Sequence, residues 1–82
     1  MNVELTESLR ELIDSHLFPL GEEIDATTDL HAEGLDSLAL MQLILLIEKE
    51  HAVSIVPADL DRENFSTLGN IAALIVRKQE EA

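Results

Sequence analysis

The chain has 82 residues, 46% of them apolar and none a cysteine. That length holds one small domain, and the lack of cysteine excludes disulfides and thiolate metal sites. With 17 acidic and 5 basic residues the formal charge is −12; phosphate backbones and anionic membranes repel such a surface, whereas basic protein partners are drawn to it.

Phe18 and Phe65 are the only aromatics, so aliphatic side chains must fill the core. This suits a small helical bundle of modest stability. Residues 1–10 are polar and acidic, without the apolar segment of a secretory signal. The apolar run 38–47 is too short for a bilayer, which needs ~20 residues. The expectation is a cytoplasmic, monomeric protein that binds no nucleic acid and enters no membrane.

Leu5, Leu9, Leu12, Ile13, His16 and Leu17 recur at three- and four-residue spacing, with Glu4, Glu7, Arg10, Glu11 and Asp14 between them. The pattern predicts an amphipathic helix over residues 3–17, ended by the restriction that Pro19 places on Phe18. Over residues 18–35 no period persists. Pro19, Gly21, the Thr27-Thr28-Asp29 cluster and Gly34 predict a long loop, anchored by Leu20, Ile24, Leu30 and Leu35. Loops of that length in small domains are commonly functional.

The second helix is expected over Ser37–His51. Asp36 and Ser37 are both suited to cap it, and Gly34 gives the preceding turn its conformational freedom. Spaced at 100° per residue, Ala39, Leu40, Leu43, Leu46, Ile47 and His51 fall on a core side. Leu38, Met41 and Leu45 form a strip on the other side, with Ile44 at a boundary, Gln42, Glu48 and Lys49 alongside, and Ser37 at the edge. An exposed apolar strip with a polar rim marks a partner site.

Residues 52–56 alternate briefly but have no strand to pair with, and read as a connection with Val53 and Ile55 turned inward. Pro57 suits the start of a short helix over residues 58–63. Ser66 or Thr67 then caps a last helix with Leu68, Ile71, Ala72, Leu74 and Ile75 on its inner face. Arg77 and Lys78 complement its C-terminal dipole. The fold class is all-α: a small four-helix bundle of three longer helices and a short third one, with a long loop between the first two.

For catalysis, the stretch Gly34-Leu35-Asp36-Ser37-Leu38 lacks the second glycine and the preceding strand of a hydrolase elbow. A serine nucleophile needs a base. His31 in the loop could approach Ser37, whereas His51 lies roughly 20 Å away along the helix. His16, His31 and His51 show no metal-ligand spacing, and the acidic residues form no calcium loop. No catalytic residue and no metal are assigned. His16 and His51, on apolar faces, read as core or boundary residues. Two uses remain for Ser37, a helix cap or an attachment point. A phosphodiester at a helix N-terminus would be tolerated by free N–H groups and the dipole.

The run Asp29-Leu30-His31-Ala32-Glu33-Gly34-Leu35-Asp36-Ser37-Leu38 resembles the modification site of acyl and peptidyl carrier proteins, whose motif has an Asp-Ser-Leu core with glycine and an apolar residue upstream. The resemblance continues through Ile47-Glu48-Lys49-Glu50 and Val53-Ser54-Ile55 to Asp59-Leu60 and Asn64-Phe65-Ser66-Thr67-Leu68, nearly the whole chain.

It implies that Ser37 carries 4′-phosphopantetheine, installed from coenzyme A by a phosphopantetheinyl transferase, with cargo held on its thiol as a thioester. Asp36 matches the family's acidic residue before the serine. Leu38, Met41 and Leu45, flanked by Gln42 and Glu48, match its partner-binding face. The implied partners are that transferase, a cargo-loading ligase or acyltransferase, and a downstream synthase or transferase; the carrier itself catalyses nothing.

His51 replaces a customary aromatic core residue. Ala39 and Gln42 stand where fatty-acid carriers are often acidic, and Asp59 to Phe65 looks more like stand-alone aminoacyl carriers, D-alanyl carriers among them. The expectation is a discrete carrier over residues 1–82 in a nonribosomal peptide, polyketide or aminoacyl-transfer pathway. A carrier of fatty-acid synthesis is the alternative, and an acidic helical adaptor binding through Leu38, Met41 and Leu45 is the alternative of another class.

Overall fold

The three longest helical patterns fold as α1 (Val3–His16), α3 (Ser37–His51) and α4 (Leu68–Glu81) in a computed structural model, which describes residues 3–81. Met1, Asn2 and Ala82, the ends of the expected 1–82 domain, lie outside the described residues. No strand occurs among the described residues, and 52–56 is a connection. The architecture is the all-α bundle read from the sequence.

Each helix buries the centre of the face that its period selects, while Leu5, Leu12, Ala39, Leu40 and Leu46 are only half-buried. Leu9 and Ile13 of α1, Leu43 and Ile47 of α3, and Leu68, Ile71, Ala72, Leu74 and Ile75 of α4 are buried. They enclose Phe65 with Ile24, Leu30 and Leu35 from the long loop. Full burial contributes about 1.5–3 kcal/mol for each large aliphatic side chain. α1 packs on α4. Val53 and Ile55 rest half-buried on the core, as does Leu20.

The short segments depart from expectation. The loop contains a one-turn helix, α2 (Leu30–Glu33), between the Asp29 cap, whose carboxylate accepts from the His31 amide at 3.0 Å, and Gly34. The short helix expected over 58–63 is only a 3-10 turn, Pro57–Asp59. Side chains intercept the backbone there: Asp61 accepts from the Asn64 amide at 2.7 Å, and the Asn64 side chain donates to the Asp59 carbonyl at 3.0 Å. Such local bonds compete with a helical ladder.

Individual side chains also differ. His16 is exposed, its Nδ1 3.1 Å from the Leu12 carbonyl, and Thr6 is buried on the inner face of α1 instead. His51 is half-buried rather than part of the closed core, with a buried Nε2 that has no hydrogen-bond partner among the described residues. Lys78 stands in the last turn of α4, as the dipole reading expects, and both it and Arg77 also make contacts away from the helix end. They reach back to the preceding segment, Arg77 to Asn64 Oδ1 at 3.3 Å and Lys78 to Asp59 Oδ2 at 2.8 Å.

The loop is held from several sides. The Arg10 guanidinium donates to the carbonyl of Gly21 at 3.2 Å and to that of Ile24. Asp14 accepts from the Leu20 amide at 2.8 Å, and the Leu30 amide donates to the Ser66 carbonyl at 2.7 Å. Thr67 caps α4 through its hydroxyl, which accepts from the Asn70 amide at 3.0 Å. These bonds fix where α2 delivers the chain to α3.

Candidate functional site

The turn into α3 is built by Gly34. Its φ of 131° lies where side chains with a Cβ are strained, and its N–H closes α2 onto the Leu30 carbonyl. The Leu35 amide donates to the same carbonyl at 3.0 Å, and Leu35 itself is buried. A Cβ on Gly34 would lie 3.4 Å from the Phe18 ring, an ordinary contact, so the glycine is required by the backbone angle.

Asp36 is the cap of α3. Its Oδ1 accepts from the Ala39 amide at 2.9 Å and its carbonyl from the Leu40 amide at 2.8 Å. Ser37 is therefore the first helical residue, with no capping bond to make. Its side chain is exposed, and its hydroxyl has no hydrogen-bond partner among the described residues. The N–H groups of Ser37 and Leu38 are likewise unpaired among the described residues, as the first turn of a helix leaves them.

Leu38, Met41 and Leu45 are 67%, 65% and 66% exposed, so the strip drawn on the helical wheel is an open apolar surface. Ile44 at its boundary is half-buried against the core, and Gln42 is exposed beside it. Glu48 also serves the fold. Its Oε2 accepts from the Ile55 amide at 2.8 Å, which ties the connection after α3 to the helix. The sequence signal for that bond was absent, since it joins residues seven apart across a reversal of the chain.

A groove of about 460 Å³ opens beside Ser37, lined by His31, Leu35, Asp36, Leu40, Leu60, Asp61 and Arg62. Sequence reasoning missed Leu60 and Arg62 as neighbours of Ser37. His31 brings them there, with Nδ1 3.3 Å from the Leu35 carbonyl and Nε2 3.3 Å from the Arg62 carbonyl. Both ring nitrogens thus face main-chain carbonyls, and neither is bonded to the Ser37 hydroxyl. His31 lies between two segments of the chain. No group of three or more His, Asp or Glu side chains among the described residues could hold a metal ion. No helix among them is long and apolar enough to cross a membrane.

An exposed hydroxyl with no competing bond, on a fixed first turn beside an open groove, fits a covalent phosphodiester-linked arm. Comparison with known proteins gives the same chemistry. The family described as the phosphopantetheine attachment site matches residues 5–75. Proteins named D-alanyl carrier protein from Lactococcus lactis subsp. lactis (strain IL1403) and subsp. cremoris (strain MG1363) are each 38% identical to it over 58 residues. The matched region is 70% of this chain and 73% of each relative.

Proposed function

The chain belongs to the carrier proteins with a phosphopantetheine attachment site, and from that premise we propose that Ser37 is the residue that bears the 4′-phosphopantetheine. The observation that carries this is the division of labour at the start of α3: Asp36 does the capping, which leaves the Ser37 hydroxyl exposed and unbonded. When attached, the group supplies a terminal thiol on which an acyl or aminoacyl unit is held as a thioester.

This chain's own residues position and present. Gly34 and Leu35 set the turn, Asp36 fixes the first turn of α3, and the unpaired N–H groups there favour an anionic linkage. Leu38, Met41 and Leu45, with Gln42 and the rim residue Glu48, form the surface that partner enzymes grip. The partners are a phosphopantetheinyl transferase that modifies Ser37, a ligase or acyltransferase that loads the thiol, and a downstream transferase or synthase. The carrier contributes no catalytic residue. Its charge of −12 steers partners with basic docking faces.

The cargo we propose is an aminoacyl unit, D-alanine being the one named in the relatives. The neutral Ala39 and Gln42 on α3 support this over a fatty-acid pathway. Incubation with coenzyme A and a broad-specificity transferase tests the attachment. The wild type gains the mass of one phosphopantetheine and Ser37→Ala gains none; an unmodified wild type overturns the assignment. Charging of the modified protein by a D-alanine-activating ligase tests the cargo, and exclusive charging with a fatty acid overturns it.

A further inference from the structure

We infer that Arg62 is the residue that holds the phosphate of the arm, and that His31 positions it there; the inference rests on Ser37 being the attachment point.

Among the described residues Arg62 is the one lysine or arginine lining the groove that Ser37 opens onto. The other cations are committed or remote. Arg10 donates to the carbonyls of Gly21 and Ile24, Arg77 to Asn64, and Lys78 pairs with Asp59. Lys49 stands twelve residues along α3 from Ser37, about 18 Å at 1.5 Å per residue. Among the described residues the Arg62 guanidinium has no hydrogen-bond or ion-pair partner.

The need for a cation is local. A phosphodiester on Ser37 adds a negative charge to a groove that already holds Asp36 and Asp61. Each of those carboxylates spends one oxygen on a backbone amide, Asp36 on Ala39 and Asp61 on Asn64. The helix N–H groups offset part of the added charge. A guanidinium does so with a planar fork that matches phosphate oxygens. Arg62 is exposed, yet its main chain is held beside the groove, because the His31 ring lies 3.3 Å from the carbonyls of both Arg62 and Leu35 and donates to one or the other according to its tautomer. The Arg62 main chain thus lies across the imidazole from Leu35, the residue two before Ser37.

The test compares wild type, Arg62→Gln, Arg62→Lys and His31→Ala, each before and after modification, with mass spectrometry verifying the arm. The phosphorus resonance of the modified wild type should show contact with guanidinium protons and move with added salt; in Arg62→Gln it should lose both properties, and in Arg62→Lys recover the salt dependence. Unmodified wild type and Arg62→Gln should melt together, whereas after modification Arg62→Gln should melt lower by roughly 2–5 °C at low salt. His31→Ala should weaken the phosphorus–guanidinium contact while Arg62 is retained. A phosphorus signal and melting shift that are the same in wild type and Arg62→Gln overturn the role of Arg62, while a verified mass gain leaves the attachment reading intact. Failure of the wild type to gain mass overturns both.

Discussion

Asp36 Oδ1 accepts a hydrogen bond from the Ala39 amide at 2.9 Å, and this bond leaves Ser37 with nothing to cap. Asp36→Ala should therefore lower stability by about 1 kcal/mol in chemical denaturation, whereas Asp36→Asn should stay within a few tenths of wild type. Ser37→Ala, by the same reasoning, should cost well under about 1 kcal/mol. A large loss in Ser37→Ala would mean that the serine is structural after all.

Ala52 ends α3 with φ 53° and ψ 41°, the left-handed region that glycine adopts more readily. Ala52→Gly should raise stability by about 0.5–1 kcal/mol, the relief of backbone strain exceeding the added entropy of the unfolded chain. Gly34→Ala should act in the opposite sense, losing about 1–2 kcal/mol, because φ at Gly34 is 131°. Paired thermal melts of the two variants check both signs.

The three long helices and the exposed apolar strip were legible in the sequence because one period encodes them. Leu43 and Ile47 had to point inward if Leu38, Met41 and Leu45 pointed out. Nothing periodic encodes the short segments. α2 was announced only by Asp29 and Gly34 flanking four residues, a signal that a loop reading absorbs. The failure of 58–63 as a helix depends on Asn64 turning back to the Asp59 carbonyl. The wall of the groove at Ser37 depends on His31 meeting a carbonyl 31 residues away. Those are long-range choices among polar partners, which helical spacing does not record.

Met41 stands at the middle of the exposed strip, 65% accessible. Met41→Glu should leave stability within about 0.5 kcal/mol of wild type and raise the transferase KM for the carrier by about tenfold. Gln79→Glu on the exposed side of α4 adds the same charge away from the strip and should leave that KM unchanged. Equal effects of the two variants would assign the loss to overall charge and not to the strip.

Lys78 and Asp59 meet at 2.8 Å, and the Lys78 hydrogen bond, followed by that from the Val56 amide, holds the Asp59 carboxyl below its ordinary value of 3.8. A carboxyl with a lowered folded pKa stabilises the fold fully above its unfolded pKa, and that contribution disappears as pH falls through the folded value. Lys78→Met should be less stable than wild type by about 0.5–1 kcal/mol at neutral pH, a modest figure because solvent screens the pair. The difference should shrink below pH 3.8. A gap that widens in acid would contradict this sign.

We propose that Ser37 carries the arm. Fragment-ion mass spectrometry of the protein isolated from its native host tests it most directly. A phosphopantetheine adduct is expected on the peptide containing Leu35-Asp36-Ser37-Leu38, localised to Ser37 and bearing an aminoacyl group in part of the population. An adduct localised to any other residue, or protein recovered from active cells wholly without one, would contradict it.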